Sequence, residues 1–211
     1  MKLGLNLKPN KKMAGITAEI IRIDPKFTSI IQSTSLCDIG ISKNRDTHFK
    51  TLVQSIISQQ LATKAAETIN NRVSKILNEK FEPNLFLELS PAKLKEAGVS
   101  GSKIRAISEL SLAASSGQIE LESFDQLSNQ EITQQLTKVW GIGRWTSEMF
   151  LIFHLSRLDV WPVGDLAVRR GWMKIHNMRR EISAEDLDKK GSKFAGFQSV
   201  VAWYCWRAVD D

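Results

Sequence analysis

The sequence predicts an all-α protein, and three observations support this assignment. Helix start and stop signals recur along the 211 residues, with Ser, Asp or Pro before apolar segments and Gly after several of them. Apolar residues recur at spacings of three and four, as they do on one face of a helix. No segment keeps the apolar/polar alternation of a half-buried strand over a strand's length.

The helices of the first half each have a local signal. Asp24-Pro25 is an N-cap followed by Pro at the first helical position, and Asp46 is placed to cap the next helix. Ser90-Pro91 starts a short helix that Gly98 ends. Apolar periodicity predicts further helices over residues 65–77 and 102–116, whereas the basic residues 1–15 are expected to form an irregular arm.

The second half is punctuated in the same way. Ser128-Asn129-Gln130-Glu131 is a capping box before a helix that ends near Thr137, and Ser183 to Asp186 resembles a second box. Asp165 stands at the start of a helix that reaches about His176. Two more helices are predicted over residues 144–156 and 197–208.

Composition limits the classes of function. The net charge of +6 and the isoelectric point near 9.4 favour a polyanionic partner, nucleic acid before membrane. The two cysteines, Cys37 and Cys205, cannot form a Cys-rich zinc or iron–sulfur site. The N-terminus lacks the apolar region of a signal peptide, and the apolar run Met149–Phe153 is far too short to span a membrane. We therefore expect a soluble intracellular protein with reduced thiols.

One motif joins two predicted helices, Val139-Trp140-Gly141-Ile142-Gly143-Arg144-Trp145-Thr146. Its two glycines allow a tight turn, and successive backbone N–H groups then lie at the N-terminus of the following helix. Such a terminus binds a phosphate without any charged side chain. A plain corner between two helices is the alternative.

A second motif is the loop that ends in Asp165, preceded by Trp161, Pro162 and Val163 and followed by Leu166. Capping the next helix is the most frequent role of Asp at such a position. The apolar neighbours also suggest a carboxylate in a partly apolar cleft, where it can stabilise a cation or orient a water molecule.

These two motifs, in this order, resemble the helix-hairpin-helix (HhH-GPD) DNA glycosylase superfamily. The stretch Leu136–Arg170 carries the hairpin, the helix and the loop with its single aspartate. The chain is most similar to the compact alkylbase group, the 3-methyladenine DNA glycosylase II family. Three further stretches support that group, and the resemblance covers residues 20–210: Phe49–Leu61, Ala97–Lys103 and Ala202–Arg207.

The resemblance implies a role for each matching position. Asp165 matches the catalytic aspartate, and Gln60 matches the side chain that fills the gap left by an extruded base. Trp206 matches an aromatic residue of the base pocket. The hairpin that anchors phosphate is matched by Gly141, Ile142, Gly143 and Thr146.

The resemblance also bears on cofactors and on reaction type. Backbone carbonyls near Val139 and Ile142 are expected to hold an alkali-metal ion, Na⁺ or K⁺, and no other cofactor is expected. The four-cysteine cluster of the endonuclease III branch is absent from the sequence. Trp145 stands where members that also cut the DNA backbone have a lysine. Without that amine no Schiff base forms at the sugar, so a monofunctional enzyme without AP lyase activity is implied.

Tryptophan is abundant, with six residues, and a cationic alkylated base is attracted to electron-rich aromatic faces. We expect Trp145 and Trp161 to line the base pocket with Trp206, and His48 is a further candidate whose alternative is simple packing or exposure. The remaining tryptophans are expected to be structural: Trp140, Trp172 and Trp203.

The expected architecture has two helical lobes with the active-site cleft between them. Residues 47–158 would form the lobe that contains the hairpin, and residues 1–46 with 159–211 the other. The expected reaction is hydrolysis of the N-glycosidic bond of an alkylated or otherwise damaged purine in duplex DNA, in base excision repair. We expect a monomer that acts in the cytoplasm, nucleoid or nucleus.

The resemblance leaves several substrates open: 3-methyladenine, 7-methylguanine, hypoxanthine and ethenoadenine. Two other functions are considered. A non-catalytic helix-hairpin-helix DNA-binding module would explain the glycines and the charge but would leave Asp165 and the tryptophans without a task. A glycosylase for mismatched or oxidised bases is disfavoured by Trp145, which replaces the lysine, and by the absence of the four-cysteine cluster.

Overall fold

A computed structural model describes residues 11–40 and 46–210, and all regular structure in this part of the chain is helical, which confirms the all-α class. None of these helices is long and apolar enough to cross a membrane. Short 3₁₀ turns lie at Pro25–Phe27, Leu121–Ser123 and Ser192–Phe194, and a π-helical segment at Phe150–His154. In the described residues the α-helices are α1 Lys11–Ile23, α2 Thr28–Ser33, α3 His48–Ser58, α4 Thr63–Ile76, α5 Pro83–Glu88, α6 Pro91–Glu96, α7 Gly101–Ser115, α8 Asn129–Leu136, α9 Arg144–Met149, α10 Leu166–Ile175, α11 Ala184–Gly191 and α12 Gln198–Arg207.

Most predicted caps are confirmed. The carboxylate of Asp24 accepts a hydrogen bond from the amide of Lys26 at 3.2 Å, and Ser128 forms the full capping box of α8. Ser183 caps α11 by accepting from the amide of Asp186 at 3.0 Å. Local signals of this kind need no tertiary partner, and they set where these helices begin.

Two local predictions are wrong. Thr47 and not Asp46 caps α3, since the Thr47 hydroxyl accepts from the amide of Lys50 at 3.1 Å while Asp46 forms an ion pair with the Lys50 amine at 2.8 Å. Residues 11–15 are helical rather than an irregular arm, because α1 buries one face of the helix. The rest of the expected arm, residues 1–10, lies outside the described residues. The buried face of α1 consists of Met13, Thr17 and Ile20.

The chain forms two compact units. The terminal unit comprises Met1–Lys43 and Ser156–Asp211, and the central unit comprises Asn44–Leu155. The core of the terminal unit is aromatic: the rings of Trp172 and His176 stack with centroids 4.1 Å apart, and Phe27 packs edge-on to both. Trp172 and Trp203 are buried, as expected of structural tryptophans.

Helices α10 and α12 cross closely in the terminal unit. A Cβ atom added at Gly171 of α10 would collide with the backbone carbonyl of Cys205 in α12. Only a residue without a side chain permits this approach. Because Asp165 begins α10 and Trp206 lies in α12, the crossing fixes the distance between these two residues.

Both cysteines belong to the terminal unit and are free thiols. The side chains of Cys37 and Cys205 have no exposed surface. Burial raises the pKa of Cys37 to about 12 and also raises the pKa of Cys205. Both groups therefore remain protonated at neutral pH.

The close crossing leads to a stability prediction. Gly171→Ala should lower the free energy of unfolding by about 3 kcal/mol, since the added methyl group meets rigid backbone. The matched control is Gly15→Ala in α1, where an added Cβ meets nothing within 4 Å and should stabilise by about 0.5–1 kcal/mol. Urea unfolding of both variants measures the difference, and equal midpoints would contradict the close crossing.

Candidate active site and nucleic-acid interface

Asp165 lies at the N-terminus of α10, and its carboxylate caps this helix. The Oδ1 atom accepts a hydrogen bond from the amide of Val168 at 2.9 Å and from the indole Nε1 of Trp206 at 3.3 Å. Only 8% of the residue is exposed. These donors hold the carboxylate in a defined place, and a fixed negative charge in a largely buried setting is suited to stabilising a positive charge beside it.

The structure thus brings together the predicted catalytic residue and one predicted pocket residue. Trp206 is half-buried near the end of α12 and reaches Asp165 through its N–H group. The indole ring gives this part of the site an aromatic surface next to the carboxylate. An aromatic ring and an anion side by side can both attract a cationic ligand.

Trp161 has a different place from the one expected. Only 7% of it is exposed, and its Nε1 donates to the carbonyl of Leu187 at 3.1 Å. Its ring lies against Gly191, where any Cβ atom would collide with the indole. The ring also packs edge-on to Trp172 with centroids 6.0 Å apart. Trp161 is therefore packed in the core of the terminal unit.

The predicted hairpin lies in the central unit between α8 and α9. Gly141 has a φ of +87°, and a Cβ there would lie 2.6 Å from the Cβ of Ala106, so a glycine is required. Gly143 precedes α9 in an extended conformation, and a Cβ there would meet nothing within 4 Å. The N-terminus of α9 has no side-chain cap, unlike that of α8. Its backbone N–H groups are thus left for solvent or a ligand.

Two other hairpin residues point inward. Ile142 is only 3% exposed, and its amide donates to the carbonyl of Val139 at 3.1 Å within the turn. Thr146 is 5% exposed, and its hydroxyl accepts a hydrogen bond from the side chain of Gln59 at 3.2 Å. The side chains of Ile142 and Thr146 therefore hold the hairpin in place, while the open surface is that of Gly143.

Gln59 is a residue that sequence reasoning missed. Its Nε2 atom donates to the carbonyl of Gly141 at 3.1 Å as well as to Thr146, so it ties the end of α3 to the hairpin. The neighbouring Gln60 is exposed and has a φ of +55°, in the left-handed region. The only signal for Gln59 in the sequence is its place beside Gln60.

His48 is held inside the central unit. Its Nδ1 lies 2.7 Å from Nε2 of His154, whose Nδ1 lies 2.9 Å from the hydroxyl of Thr51. Burial, together with the neighbouring His48, lowers the pKa of His154 to about 4. His154 is therefore neutral at pH 7. His48 is held in the central unit by its hydrogen bond to this neutral ring. The structure places His48 with these residues and with the ring of Phe150, in a different unit from Asp165.

Two tryptophans near the hairpin are exposed. Trp145 in α9 is 50% exposed, which leaves part of its indole open to a ligand. Trp140 is 43% exposed, unlike the buried Trp172 and Trp203. In the described part of the chain, no group of three or more His, Cys, Asp or Glu side chains could hold a metal ion.

Comparison with known proteins agrees with this geometry. A model of the HhH-GPD superfamily of base excision DNA repair proteins matches residues 53–196. The chain is 36% identical to DNA-3-methyladenine glycosylase 1 of Schizosaccharomyces pombe over 75% of this chain and 71% of that protein. It is 30% identical to the DNA-3-methyladenine glycosylase of Saccharomyces cerevisiae over 91% of this chain and 69% of that protein.

Solved structures are similar as well. The fold matches the S. pombe 3-methyladenine DNA glycosylase in complex with abasic DNA, with a TM-score of 0.79 and 32% identity over 90% of this chain and 95% of that one. It also matches a DNA-3-methyladenine glycosidase from Bacillus halodurans, with a TM-score of 0.82 and 29% identity over 92% and 89%. On the family match and these relatives, the chain belongs to the HhH-GPD superfamily of base excision DNA repair proteins.

Proposed function

We propose that the protein is a monofunctional DNA glycosylase of the 3-methyladenine DNA glycosylase II type, which hydrolyses the N-glycosidic bond of alkylated purines in duplex DNA. The contact between the Asp165 carboxylate and the Trp206 indole carries this proposal. In a protein that only grips the DNA backbone, this carboxylate would serve only as the cap of α10. The names of the S. pombe and S. cerevisiae relatives support the same reaction.

The proposed reaction follows from charge. A damaged nucleotide swings out of the stack, which costs less than extrusion from an intact pair, and Gln60 fills the gap. An N-alkylated purine carries a positive charge and leaves readily. The aromatic face of Trp206 attracts that charge. As the glycosidic bond breaks, positive charge develops on the sugar, where Asp165 stabilises it and helps to orient the attacking water.

The uncapped N-terminus of α9 supports a role in holding DNA. The hairpin amides would bind a backbone phosphate, and this contact positions the duplex without reading its sequence. We also propose an alkali-metal ion at the carbonyls of Val139 and Ile142. Neutral carbonyl oxygens are a suitable donor set for such an ion, and the Val139 carbonyl retains a second lone pair beside its turn hydrogen bond. The ion would strengthen the attraction of the hairpin for phosphate.

Asp165→Asn tests the catalytic role. The amide of Val168 and the indole N–H of Trp206 both donate to Oδ1, so an asparagine can keep the cap and the contact with Trp206. The negative charge is lost, and excision of hypoxanthine should slow by about 10²–10³-fold. Hypoxanthine is chosen because it is a poorer leaving group than an alkylated base. Single-turnover excision and binding to abasic-site DNA should be measured in parallel.

The expected variant is folded, binds abasic-site DNA as well as the wild type, and excises slowly. Excision at the wild-type rate would show that the charge of Asp165 does not act in the reaction. Loss of folding would show that the negative charge of Asp165 serves the stability of the fold.

Gly143→Val tests the hairpin. The structure leaves room for the side chain, and Gly143 has an extended backbone that valine adopts, so the fold should lose only about 1 kcal/mol at the cap. A phosphate approaching the amides would meet the new methyl groups. Binding to every DNA sequence should weaken by about 10- to 100-fold, the equivalent of one or two hydrogen bonds to a charged group. The DNA affinity of Gly143→Ala should lie between those of the wild type and Gly143→Val. Unchanged binding by Gly143→Val would exclude the hairpin as the anchor.

Trp145 in place of a catalytic lysine predicts base release without strand cleavage. Borohydride treatment of the reaction should trap no covalent protein–DNA adduct, because no amine forms a Schiff base at the sugar. A bifunctional glycosylase/lyase assayed in parallel shows that trapping works. An adduct with this protein, formed in proportion to base release, would overturn the monofunctional assignment.

A further inference from the structure

A cavity of about 370 Å³ opens in the central unit beside the hairpin. It is bordered on one side by the loop that carries Gln60 and on another by the start of α7. The cavity thus lies between Gly141 of the proposed phosphate anchor and Gln60, the proposed gap-filling residue. The lining residues that matter here are Gln60, Leu61, Ser102, Lys103, Trp140 and Gly141.

The cation inside this cavity is already used by the protein. Lys103 donates from Nζ to the carbonyl of Ile57 at 2.8 Å, near the C-terminus of α3. Burial lowers the pKa of Lys103. The amine thus stabilises the helix end that leads into Gln59 and Gln60.

Arg105 is placed differently. Its guanidinium carbon lies 4.2 Å from the centroid of the Trp140 ring, while 60% of its side chain is exposed. The ion pair from its Nε to Oε1 of Glu109 is 3.8 Å long, beyond hydrogen-bond distance, and exposed pairs of this kind are weak. Among the described residues, the structure gives the N–H donors of Arg105 no hydrogen-bond partner.

Trp140 also lacks an obvious reason for its exposure. It stands directly before Gly141, on the hairpin that would face DNA, and 43% of it is exposed. The centroid of its ring lies 4.2 Å from the guanidinium carbon of Arg105, which is a cation–π contact. Such a contact restrains the guanidinium and leaves its N–H donors available for a further partner.

We propose that Arg105 binds a phosphate of the DNA backbone, and that Trp140 is a positioning residue that holds Arg105 for this contact. The inference rests on the proposed function, because it needs DNA bound at the hairpin. The N–H donors of a guanidinium match two oxygens of a phosphate. Pre-orientation reduces the conformational entropy that the long arginine side chain loses on binding. Arg105 would be a charged anchor beside the neutral amides of the hairpin.

The test is the salt dependence of binding to DNA with a stable tetrahydrofuran abasic site. Removal of one phosphate contact lowers the slope of log Kd against log salt concentration by about 0.9. Arg105→Gln should show this change, with about fivefold weaker binding at 150 mM salt. Trp140→Ala should lower the slope in the same direction although the residue is neutral, and Trp140→Phe should restore most of it.

The double variant separates two roles of Trp140. If Trp140 acts through Arg105, then Trp140→Ala changes neither slope nor affinity further in the Arg105→Gln background. A base stacked directly on Trp140 would instead give weaker binding with an unchanged slope in both backgrounds, and this result would overturn the proposal. So would a wild-type slope for Arg105→Gln.

Lys75→Gln is the matched control for the loss of one charge. Lys75 lies near the C-terminus of α4, whose first residue, Thr63, is two positions after the cavity residue Leu61. Lys75 is therefore about 18 Å along the helix from the end of α4 that adjoins the cavity. The salt-dependence slope of Lys75→Gln should equal that of the wild type. If the slope of Lys75→Gln also fell by about 0.9, the change seen in Arg105→Gln could not be assigned to a contact of Arg105. DNA with single neutral methylphosphonates then locates the contact: one position should weaken the wild type but not Arg105→Gln.

Failure of this inference differs from failure of the proposed function. If the wild type excises alkylpurines but Arg105→Gln keeps the wild-type salt-dependence slope, the proposed glycosylase activity is retained. Only the proposed contact of Arg105 is then wrong. A wild type that neither binds abasic-site DNA nor excises would overturn both.

Discussion

The close crossing of α10 and α12 is the constraint on which the candidate catalytic geometry depends. Gly171 lets the backbones meet at Cys205, one residue before Trp206. The same α10 begins at Asp165, whose carboxylate is both a helix cap and the acceptor for the Trp206 N–H. A local capping interaction and a helix crossing thus combine to hold one charge beside one aromatic ring. Neither residue depends on a flexible loop for its position.

The central unit uses a different device to place its functional surface. The hairpin is not held by its own sequence alone, because Gln59 donates to both Gly141 and Thr146 from the end of α3. Lys103 stabilises the same helix end through the carbonyl of Ile57. Gln60 therefore lies in a segment that is fixed to the hairpin on one side and to α7 on the other. The proposed gap-filling residue and the proposed phosphate anchor have a shared support.

Much of the fold could be predicted because its signals are local. Asp24, Ser128 and Ser183 cap helices through neighbouring amides, and such contacts are visible in sequence spacing. The start of α1 was missed because the burial of one of its faces is a tertiary effect that no local signal shows. Thr47 caps α3 instead of Asp46 because Lys50 interacts with both residues. Its backbone amide donates to the Thr47 hydroxyl, and its side-chain amine pairs with the Asp46 carboxylate.

The site was predicted in part for the same reason. Asp165 and Gly143 are recognisable from motif order, whereas the exposure of a tryptophan depends on distant residues. Gly191 makes the space that buries Trp161, and Arg105 accompanies the exposed Trp140. The link from Gln59 to Thr146 joins positions 87 residues apart, and no spacing in the sequence indicates it.

The two buried cysteines have a consequence for a protein whose proposed substrate is alkylated DNA. Reagents that methylate purines also attack thiolates, which are the reactive form of cysteine. Cys37 and Cys205 have no exposed surface, and burial raises the pKa of both thiols. Each stays protonated and out of reach of a dissolved electrophile. The folded protein is in this respect resistant to the same chemical injury that creates the lesions of its proposed substrate.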